Sequence, residues 1–366
     1  MSRIDSWTGN RKQEYFDNWG RLNMLRVVRK SLGFQGRSPW LVFCVIAALL
    51  PTALCASGAQ VTGRWAARMP DQKGSSSVVF AFGTEGDKLT GTIANAHGET
   101  PISDGKVEGD RISFRTVDDL GGEEVIRLFE ASVSGNEARF TCRAPNGADH
   151  QEFKAIRLAQ PLLATRAPRD FAAVADPDAP VWRGSGVVSF DTDRSGAPVL
   201  GHRLEVRSLW TKRFLYFLFA CPYEELNLRP NPSRATKTDG LWNWDVVELF
   251  ISAGTDYLGH YKEFELSPQG EWLDMDITRP RGPIAKNLEW NSGLQVDAKV
   301  EAKERIWYAV MKIPIASFDP REGVAGQEYH LSLCRIQGPG PDLQRKRVVW
   351  YPADFHYPAQ LLRLTD

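Results

Sequence analysis

The stretch LWNWDVVELF, at residues 241–250, places two tryptophans just before an apolar run that contains a carboxylate. In an extended strand successive side chains point to opposite faces, so Val246, Glu248 and Phe250 should share one face. A carboxylate among apolar neighbours needs a partner, because an unpaired buried charge is costly. Glu248 is therefore a candidate for binding a polar ligand, and Trp242 stands a few residues before it.

Acidic residues recur at every second position on the next two predicted strands. Glu263 and Glu265 share a face of the first strand, and Asp274 and Asp276 share a face of the second. If these strands pair with the strand of Glu248, one face of the sheet carries an acidic floor. The alternative also stands, because an acid on a strand most often lies on a solvated outer face.

An aromatic wall beside an acidic floor suits a sugar. A flat indole offers a large contact area at low entropic cost and packs on the C–H face of a pyranose ring. Carboxylates accept strong hydrogen bonds from hydroxyl groups. For tryptophans within or beside strands, such as Trp244 and Trp272, burial in the core is the default interpretation.

The elements that must position these residues are strands. The chain has 366 residues, of which 42% are apolar and 25% charged, which suggests two folded domains. Glycine and proline are frequent and helical periodicity is scarce, so the sequence predicts an all-β protein. Residues 60–158 contain about eight short strands separated by turns, which predicts a small up-and-down β-barrel. Residues 159–180 are rich in proline, alanine and aspartate and read as a linker.

Residues 181–366 contain longer strands, which suit two packed antiparallel sheets in a jelly-roll-type β-sandwich. The eight predicted strands are Arg203–Trp210, Phe214–Cys221, Asp245–Ser252, Tyr261–Ser267, Glu271–Ile277, Leu294–Ala302, Ile306–Pro314 and Tyr329–Ile336.

Residues 1–59 read as a signal peptide region with a long N-terminal extension. A basic segment follows Met24, and the apolar run at residues 40–50 is too short to span a bilayer comfortably. It fits the core of a secretory signal, with cleavage expected after Ala59, and it predicts a secreted or periplasmic protein without a stable membrane span. An uncleaved, anchored form is the alternative.

Charge and cysteine content narrow the class of partner. The formal net charge is +0, so there is no electrostatic argument for nucleic acid as a partner. Beyond the predicted signal the chain keeps Cys142, Cys221 and Cys334. An odd number of cysteines at wide spacing predicts neither a disulfide framework nor a metal cluster.

Residues 180–364 resemble a family 9 carbohydrate-binding module. The segments that carry the resemblance keep the family's order and cover about half of the chain. They are PVW at 180–182, FLYFLFACP, WNWDVVELFI, YKEFELSPQGEWLDMDI, YAVMKIPIASF and WYPADFHYPAQLLRL. The resemblance implies a non-catalytic β-sandwich that binds oligosaccharides or polysaccharide ends, in secreted proteins linked to polysaccharide breakdown. The segment GDKLTGTIANAHGETPISDGKVEGDRISF resembles a small β module of secreted bacterial proteins.

The resemblance also implies residue roles. Trp242 falls on the family's ring-stacking platform, and Glu248 falls on its hydroxyl acceptor. Phe355, or alternatively Tyr357, takes the place of the second aromatic that completes the sugar sandwich. The family's best-known members have an arginine where this chain has Glu265, a departure that removes a donor from the site.

Cofactors are not indicated by any motif. Modules of the resembling family often hold structural calcium, and Asp274 and Asp276 are candidate ligands for it. The sequence contains no EF-hand-like loop.

The competing function is a glycoside hydrolase that uses two strand carboxylates among Glu248, Glu263 and Glu265. A retaining pair requires a carboxyl separation of about 5–5.5 Å and an inverting pair about 6.5–9.5 Å. Neighbouring strands could provide either separation.

Overall fold

The structure is a computed structural model that describes residues 60–71, 74–96, 98–119, 122–279, 284–340, 344–351 and 356–366. The predicted signal region and Phe355 lie outside the described residues. Within them, no helix has the length and the apolar character that crossing a membrane requires. The described helices are short 3₁₀ turns at Pro180–Trp182, Leu241–Asn243 and Ile315–Ser317.

The first sheet is a closed barrel, as predicted for residues 60–158. Neighbouring strands pair in an antiparallel manner, and the pairing of β2 with β3 closes the barrel. The short strand β4 pairs only with β3. The strands are β1 (Gly63–Asp71), β2 (Gly74–Glu85), β3 (Lys88–Asn95), β4 (Gly98–Pro101), β5 (Ser103–Glu108), β6 (Arg111–Asp119), β7 (Glu124–Ser134), β8 (Glu137–Arg143) and β9 (Gln151–Arg157).

The barrel encloses an aromatic core. Phe80 stacks on Phe140 with ring centroids 4.7 Å apart, and Phe140 stacks on Phe153 at 5.2 Å. Phe114 and Phe129 stack at 4.8 Å on the other side of the core. Closure removes the exposed strand edges that an open sheet of this size would leave.

The second sheet has 13 strands and curls so that its two halves face each other. Its strands are β10 (Leu162–Arg166), β11 (Gly186–Phe190), β12 (Leu204–Trp210), β13 (Phe214–Pro222), β14 (Val246–Ser252), β15 (His260–Leu266), β16 (Trp272–Thr278), β17 (Ala285–Asn287), β18 (Gln295–Glu301), β19 (Ile306–Pro314), β20 (Glu328–Gln337), β21 (Lys346–Val349) and β22 (Gln360–Thr365).

The two halves of this sheet make the predicted β-sandwich. Leu249 and Phe264 on one half pack in the same buried cluster as Phe217 and Trp307 on the other. All eight predicted strands are present, with ends that differ by at most one residue. Strands β10, β11, β17, β21 and β22 were not predicted, because they are short or lack a clear alternation of apolar residues.

The segment at residues 159–180 differs from the predicted linker. Strand β10, which lies within this segment, pairs in parallel with β12 on one side and with β22 on the other. Leu162 and Ala164 are buried in the sandwich core. The composition of this segment resembles a loop, but hydrogen bonding on both sides and two buried apolar side chains hold it in the sheet.

Strand β14 shows the predicted alternation. Val247 and Leu249 point into the sandwich core, whereas Val246 and Phe250 pack in a separate cluster on the other face. Glu248 shares that other face. We refer to it below as the outer face of β14–β16.

The expected acidic floor forms on two strands and not on the third. Glu265 of β15 lies directly opposite Glu248 of β14, so both point to the outer face. On β16, however, Asp274 lies opposite Phe264, and Asp276 lies opposite the next residue of the same face. These aspartates therefore point to the core side of the sheet, because opposed residues of an antiparallel pair share a face.

Candidate functional site

Three glutamates converge on the outer face. One carboxylate oxygen each of Glu248, Glu263 and Glu265 lies within 4.8 Å of the other two. The residues are 1%, 2% and 0% exposed, respectively. We call these three residues the glutamate cluster.

Burial and mutual repulsion disfavour the charged forms of the cluster. Burial raises the pKa of Glu248 to about 6, and the Cys334 thiol and nearby basic side chains limit the rise. Burial and then the charge of Glu248 raise the pKa of Glu263 to about 8. Burial and the charges of both other members raise the pKa of Glu265 well above its usual range. Without a cation, the cluster therefore retains protons near neutral pH.

Few neutralising partners reach the cluster. The Cys334 thiol donates to Glu248 Oε2 at 3.0 Å, and His356 Nδ1 lies 3.9 Å from Glu263 Oε2. Among the described residues, no side-chain or backbone donor hydrogen-bonds to either carboxylate oxygen of Glu265. A hydrogen bond between the Glu263 and Glu265 carboxyls requires a proton on one of them.

Trp242 lies on the same face as the glutamate cluster. It is half-buried and packs against the outer-face cluster that contains Phe250 and Cys334. The Lys286 ammonium lies 3.9 Å from the centre of the Trp242 ring. Its positive charge limits the rise in the pKa of all three glutamates. One lysine therefore contacts the Trp242 ring and acts on the carboxylates through its charge.

A buried arginine fixes the turn that presents Trp242. The Arg345 guanidinium donates to Trp242 O at 2.7 Å and to Trp244 O at 2.6 Å. It also lies 3.7 Å from Asp245, whose carboxylate accepts from the backbone N–H of Gly338 at 2.7 Å. Arg345 therefore acts on Trp242 through the backbone, as a positioning residue.

The predicted second aromatic has a different environment. Tyr357 is half-buried, and the Arg279 guanidinium lies 4.1 Å from the centre of its ring. It packs against an apolar cluster that includes Ala66 of the barrel and Tyr351 of the sandwich. Phe355 lies outside the described residues, so its role stays a prediction.

The two aspartates proposed for calcium lie among basic side chains on the other face. Asp274 Oδ1 is 2.6 Å from the Lys237 ammonium, and Asp274 Oδ2 accepts from the Ser292 N–H at 2.8 Å. Asp276 Oδ1 is 2.6 Å from the Lys262 ammonium and 2.8 Å from His260 Nε2. Calcium at these residues stays a prediction, and the lysine charges do not favour it.

Sequence reasoning did not identify Lys286, Cys334, His356 or Arg345 as parts of the site. Lys286 belongs to β17, which has only three residues and therefore no readable periodicity. Cys334 is a buried cysteine that forms no disulfide bond. Its position opposite Glu248 follows from the pairing of β14 with β20.

The protein is a β-barrel followed by a β-sandwich, and one sheet face of the sandwich carries both Trp242 and the buried glutamate cluster. No protein-family profile matches the chain. No curated protein sequence matches it either.

Among solved structures, the chain is similar to a proposed carbohydrate-binding protein from Bacteroides uniformis, with 14% identity and a TM-score of 0.43 over 56% of this chain and 99% of the other. It is also similar to a family 9 carbohydrate-binding module from Caldicellulosiruptor kristjanssonii. The glucose complex of that module has 10% identity and a TM-score of 0.39, over 56% of this chain and 95% of the module. The cellotriose complex has 9% identity and a TM-score of 0.38, over 56% and 94%.

Proposed function

We propose that the protein is a secreted carbohydrate-binding protein that holds a sugar on the outer face of β14–β16. The observation that carries this proposal is the presence of the half-buried Trp242 ring and three glutamates on one sheet face. The ring supplies an apolar platform, and the carboxylates supply acceptors for hydroxyl groups. The apolar run at residues 40–50 supports export.

The basic side chains at the site support the same proposal. Lys286 and Arg279 cover the rings of Trp242 and Tyr357, respectively, and both are donors that hydroxyl oxygens can accept from. A sugar that stacks on the covered face of Trp242 must displace the Lys286 ammonium. An oligosaccharide or the end of a polysaccharide chain is the ligand class that this combination of ring, acceptors and donors fits.

Catalysis is not proposed. Glycoside hydrolysis by two of these carboxylates would require a scissile bond between them. No observation on the described residues favours that reaction over sugar binding.

The first prediction concerns Trp242. Replacing Trp242 by alanine should weaken the binding of a recognised glycan at least about 10-fold, because it removes the ring platform. The measurement is isothermal titration calorimetry with a glycan panel that includes glucose and cellotriose.

The matched control is Trp290→Ala. Trp290 is also half-buried and also lies under a lysine, since Lys262 Nζ is 4.9 Å from its ring centre, but it packs against Phe264 on the core side of the sheet. This control should bind like the wild type. Equal heats for Trp242→Ala and the wild type would remove Trp242 from the site, and no heat with any glycan would contradict the proposed function.

A further inference from the structure

The glutamate cluster brings together three acidic groups that the surrounding described residues do not neutralise. Three ionised carboxylates within 4.8 Å of one another repel strongly, and burial removes the water that would screen them. Such an arrangement is stable only when protons or a cation neutralise part of the charge.

Glu265 provides an observation that is independent of the clustering itself. Its side chain is completely buried, and within the described part of the chain no N–H, O–H or S–H donor reaches either of its oxygens, so it can pair only with the Glu263 carboxyl through a shared proton. Glu263 Oε2 is also without a hydrogen bond from the described residues. Buried polar atoms in folded proteins are almost always paired, so these oxygens require either a shared proton or a bound cation.

We propose that Glu248, Glu263 and Glu265 bind one divalent cation of the hard, oxygen-preferring class, of which Ca²⁺ fits the ligand set best. The site shares residues with the proposed sugar site but does not depend on sugar binding.

The number and burial of the carboxylates favour Ca²⁺ over Mg²⁺. One oxygen of each glutamate lies within 4.8 Å of the other two, so a single ion can contact all three. Mg²⁺ usually keeps several water ligands and takes only one or two carboxylates, whereas Ca²⁺ takes about six to eight oxygens in a flexible geometry. The three carboxylates together offer six oxygens, which is within the coordination range of Ca²⁺.

The neighbouring donors agree with a hard cation. The Cys334 thiol donates to Glu248 Oε2 at 3.0 Å, so it contacts one of the proposed ligands as a hydrogen-bond donor. The proposed ligands are all carboxylate oxygens, which suit Ca²⁺, Mg²⁺ and Mn²⁺ rather than soft metals.

The cluster differs from the aspartate pair on the other face. Asp274 and Asp276 each have a lysine ammonium at 2.6 Å, so their charges are already compensated. The glutamates have no ammonium or guanidinium group within ion-pair distance among the described residues, and Lys286 lies over the Trp242 ring instead.

The experiment uses the full chain, freed of metal with a chelator that is then removed, and contains no sugar. Its melting temperature is measured against CaCl₂ and MgCl₂, with NaCl at matched ionic strength as the reference. A cation that binds only the folded state should raise the melting temperature with the logarithm of its concentration, more strongly for Ca²⁺ than for Mg²⁺. Absence of a shift up to about 10 mM CaCl₂, above the weakest protein calcium sites, would overturn the proposal and leave protons as the neutralising species.

Two acid-to-amide variants locate the site. Glu265→Gln should melt at a higher temperature than the metal-free wild type, because one repelling carboxylate is gone, and it should lose the calcium-dependent shift. Asp276→Asn should keep that shift. The reverse pattern would place the cation at the aspartate pair and overturn the proposal.

Failure of this proposal is distinguishable from failure of the proposed function. A calcium-dependent shift without any glycan binding would leave the cation site standing and remove the sugar site. Glycan binding that depends on Trp242, without any effect of Ca²⁺ on the melting temperature, would support the sugar site and remove the cation site.

Discussion

Glu265 of β15 lies directly opposite Glu248 of β14, so the residue type at position 265 decides the charge balance of this part of the sheet. An arginine at this position would lie opposite Glu248 and could form an ion pair with it. The glutamate instead places two like charges opposite each other, and Glu263 adds a third. With a carboxylate at position 265, this part of the sheet is a cluster that requires protons or a cation.

The raised pKa values of the cluster predict how stability changes with pH in metal-free protein. The pKa values of Glu248 and Glu263 in the folded protein, about 6 and about 8, exceed the ordinary value of about 4.3 in an unfolded chain. Between about pH 4 and about pH 8, the folded state therefore binds more protons than the unfolded state. The stabilisation is therefore complete below about pH 4 and is lost as the pH rises through about 8.

We expect the free energy of unfolding to fall from pH 5 to pH 8 by up to about 1.4 kcal/mol per pH unit for each such group. Urea unfolding in the presence of a chelator measures it. Glu263→Gln should show a shallower fall, because one of the titrating groups is gone. Glu289→Gln, at an exposed position, should follow the wild type. Identical slopes for all three proteins would contradict this prediction.

At the scale of the elements, the register between β14, β15 and β16 decides which acids meet. Antiparallel pairing places Glu265 opposite Glu248, and it places Asp274 opposite Phe264 on the reverse face. A shift of one residue between β15 and β16 would exchange the two faces of β16. The site is therefore a product of strand pairing as much as of the residues themselves.

Strand β10 lies in a segment whose composition suggests a linker, but it is a strand of the sandwich. A side chain at Gly186 of β11 would place its Cβ only 1.6 Å from the backbone oxygen of Leu163 in β10. The two strands can approach this closely only because residue 186 has no side chain.

Gly186→Ala should therefore lower the free energy of unfolding by about 1–3 kcal/mol or more, because the backbone of β10 must move to make room. Val187→Ala, at a neighbouring side chain that is 57% exposed, should change it by less than about 0.5 kcal/mol. Urea unfolding followed by tryptophan fluorescence measures both. Similar effects for the two variants would show that β10 is not packed tightly against β11.

At the scale of the whole molecule, the barrel and the sandwich share a packed contact. The Tyr351 hydroxyl donates to Ala66 O of β1 at 2.6 Å, and Arg64 Nη2 donates to the Tyr257 hydroxyl at 3.3 Å. The Tyr257 ring stacks on His330 with centroids 3.5 Å apart. Burial and the charge of Arg64 lower the pKa of His330 to about 3, so this ring is neutral in the contact.

This contact extends to the proposed site. Tyr357 packs in the same apolar cluster as Tyr351 and Ala66, and the adjacent His356 lies 3.9 Å from Glu263. The barrel therefore supports the segment that borders the glutamate cluster. Its contribution to the site is indirect, through the packing of this segment.

Tyr351→Phe should lower the free energy of unfolding by about 1–3 kcal/mol, because it removes the buried donor to Ala66 O. Tyr308→Phe, in a half-buried residue of the sandwich, is the control and should change it by less than about 0.5 kcal/mol. Urea unfolding followed by circular dichroism measures both variants. A Tyr351→Phe protein as stable as the wild type would show that this hydrogen bond does not hold the barrel against the sandwich.

The sequence by itself determined the all-β class, the barrel, the main strands of the sandwich and the face on which Glu248 lies. These features follow from alternation and turn residues, which are local properties of a strand. The tertiary structure alone decided that Glu265 faces Glu248, that Cys334 lies 86 residues away along the chain but donates to Glu248, and that β10 joins the sheet. Register and packing between distant segments depend on the energy of the whole sheet, so no short stretch of sequence contains them.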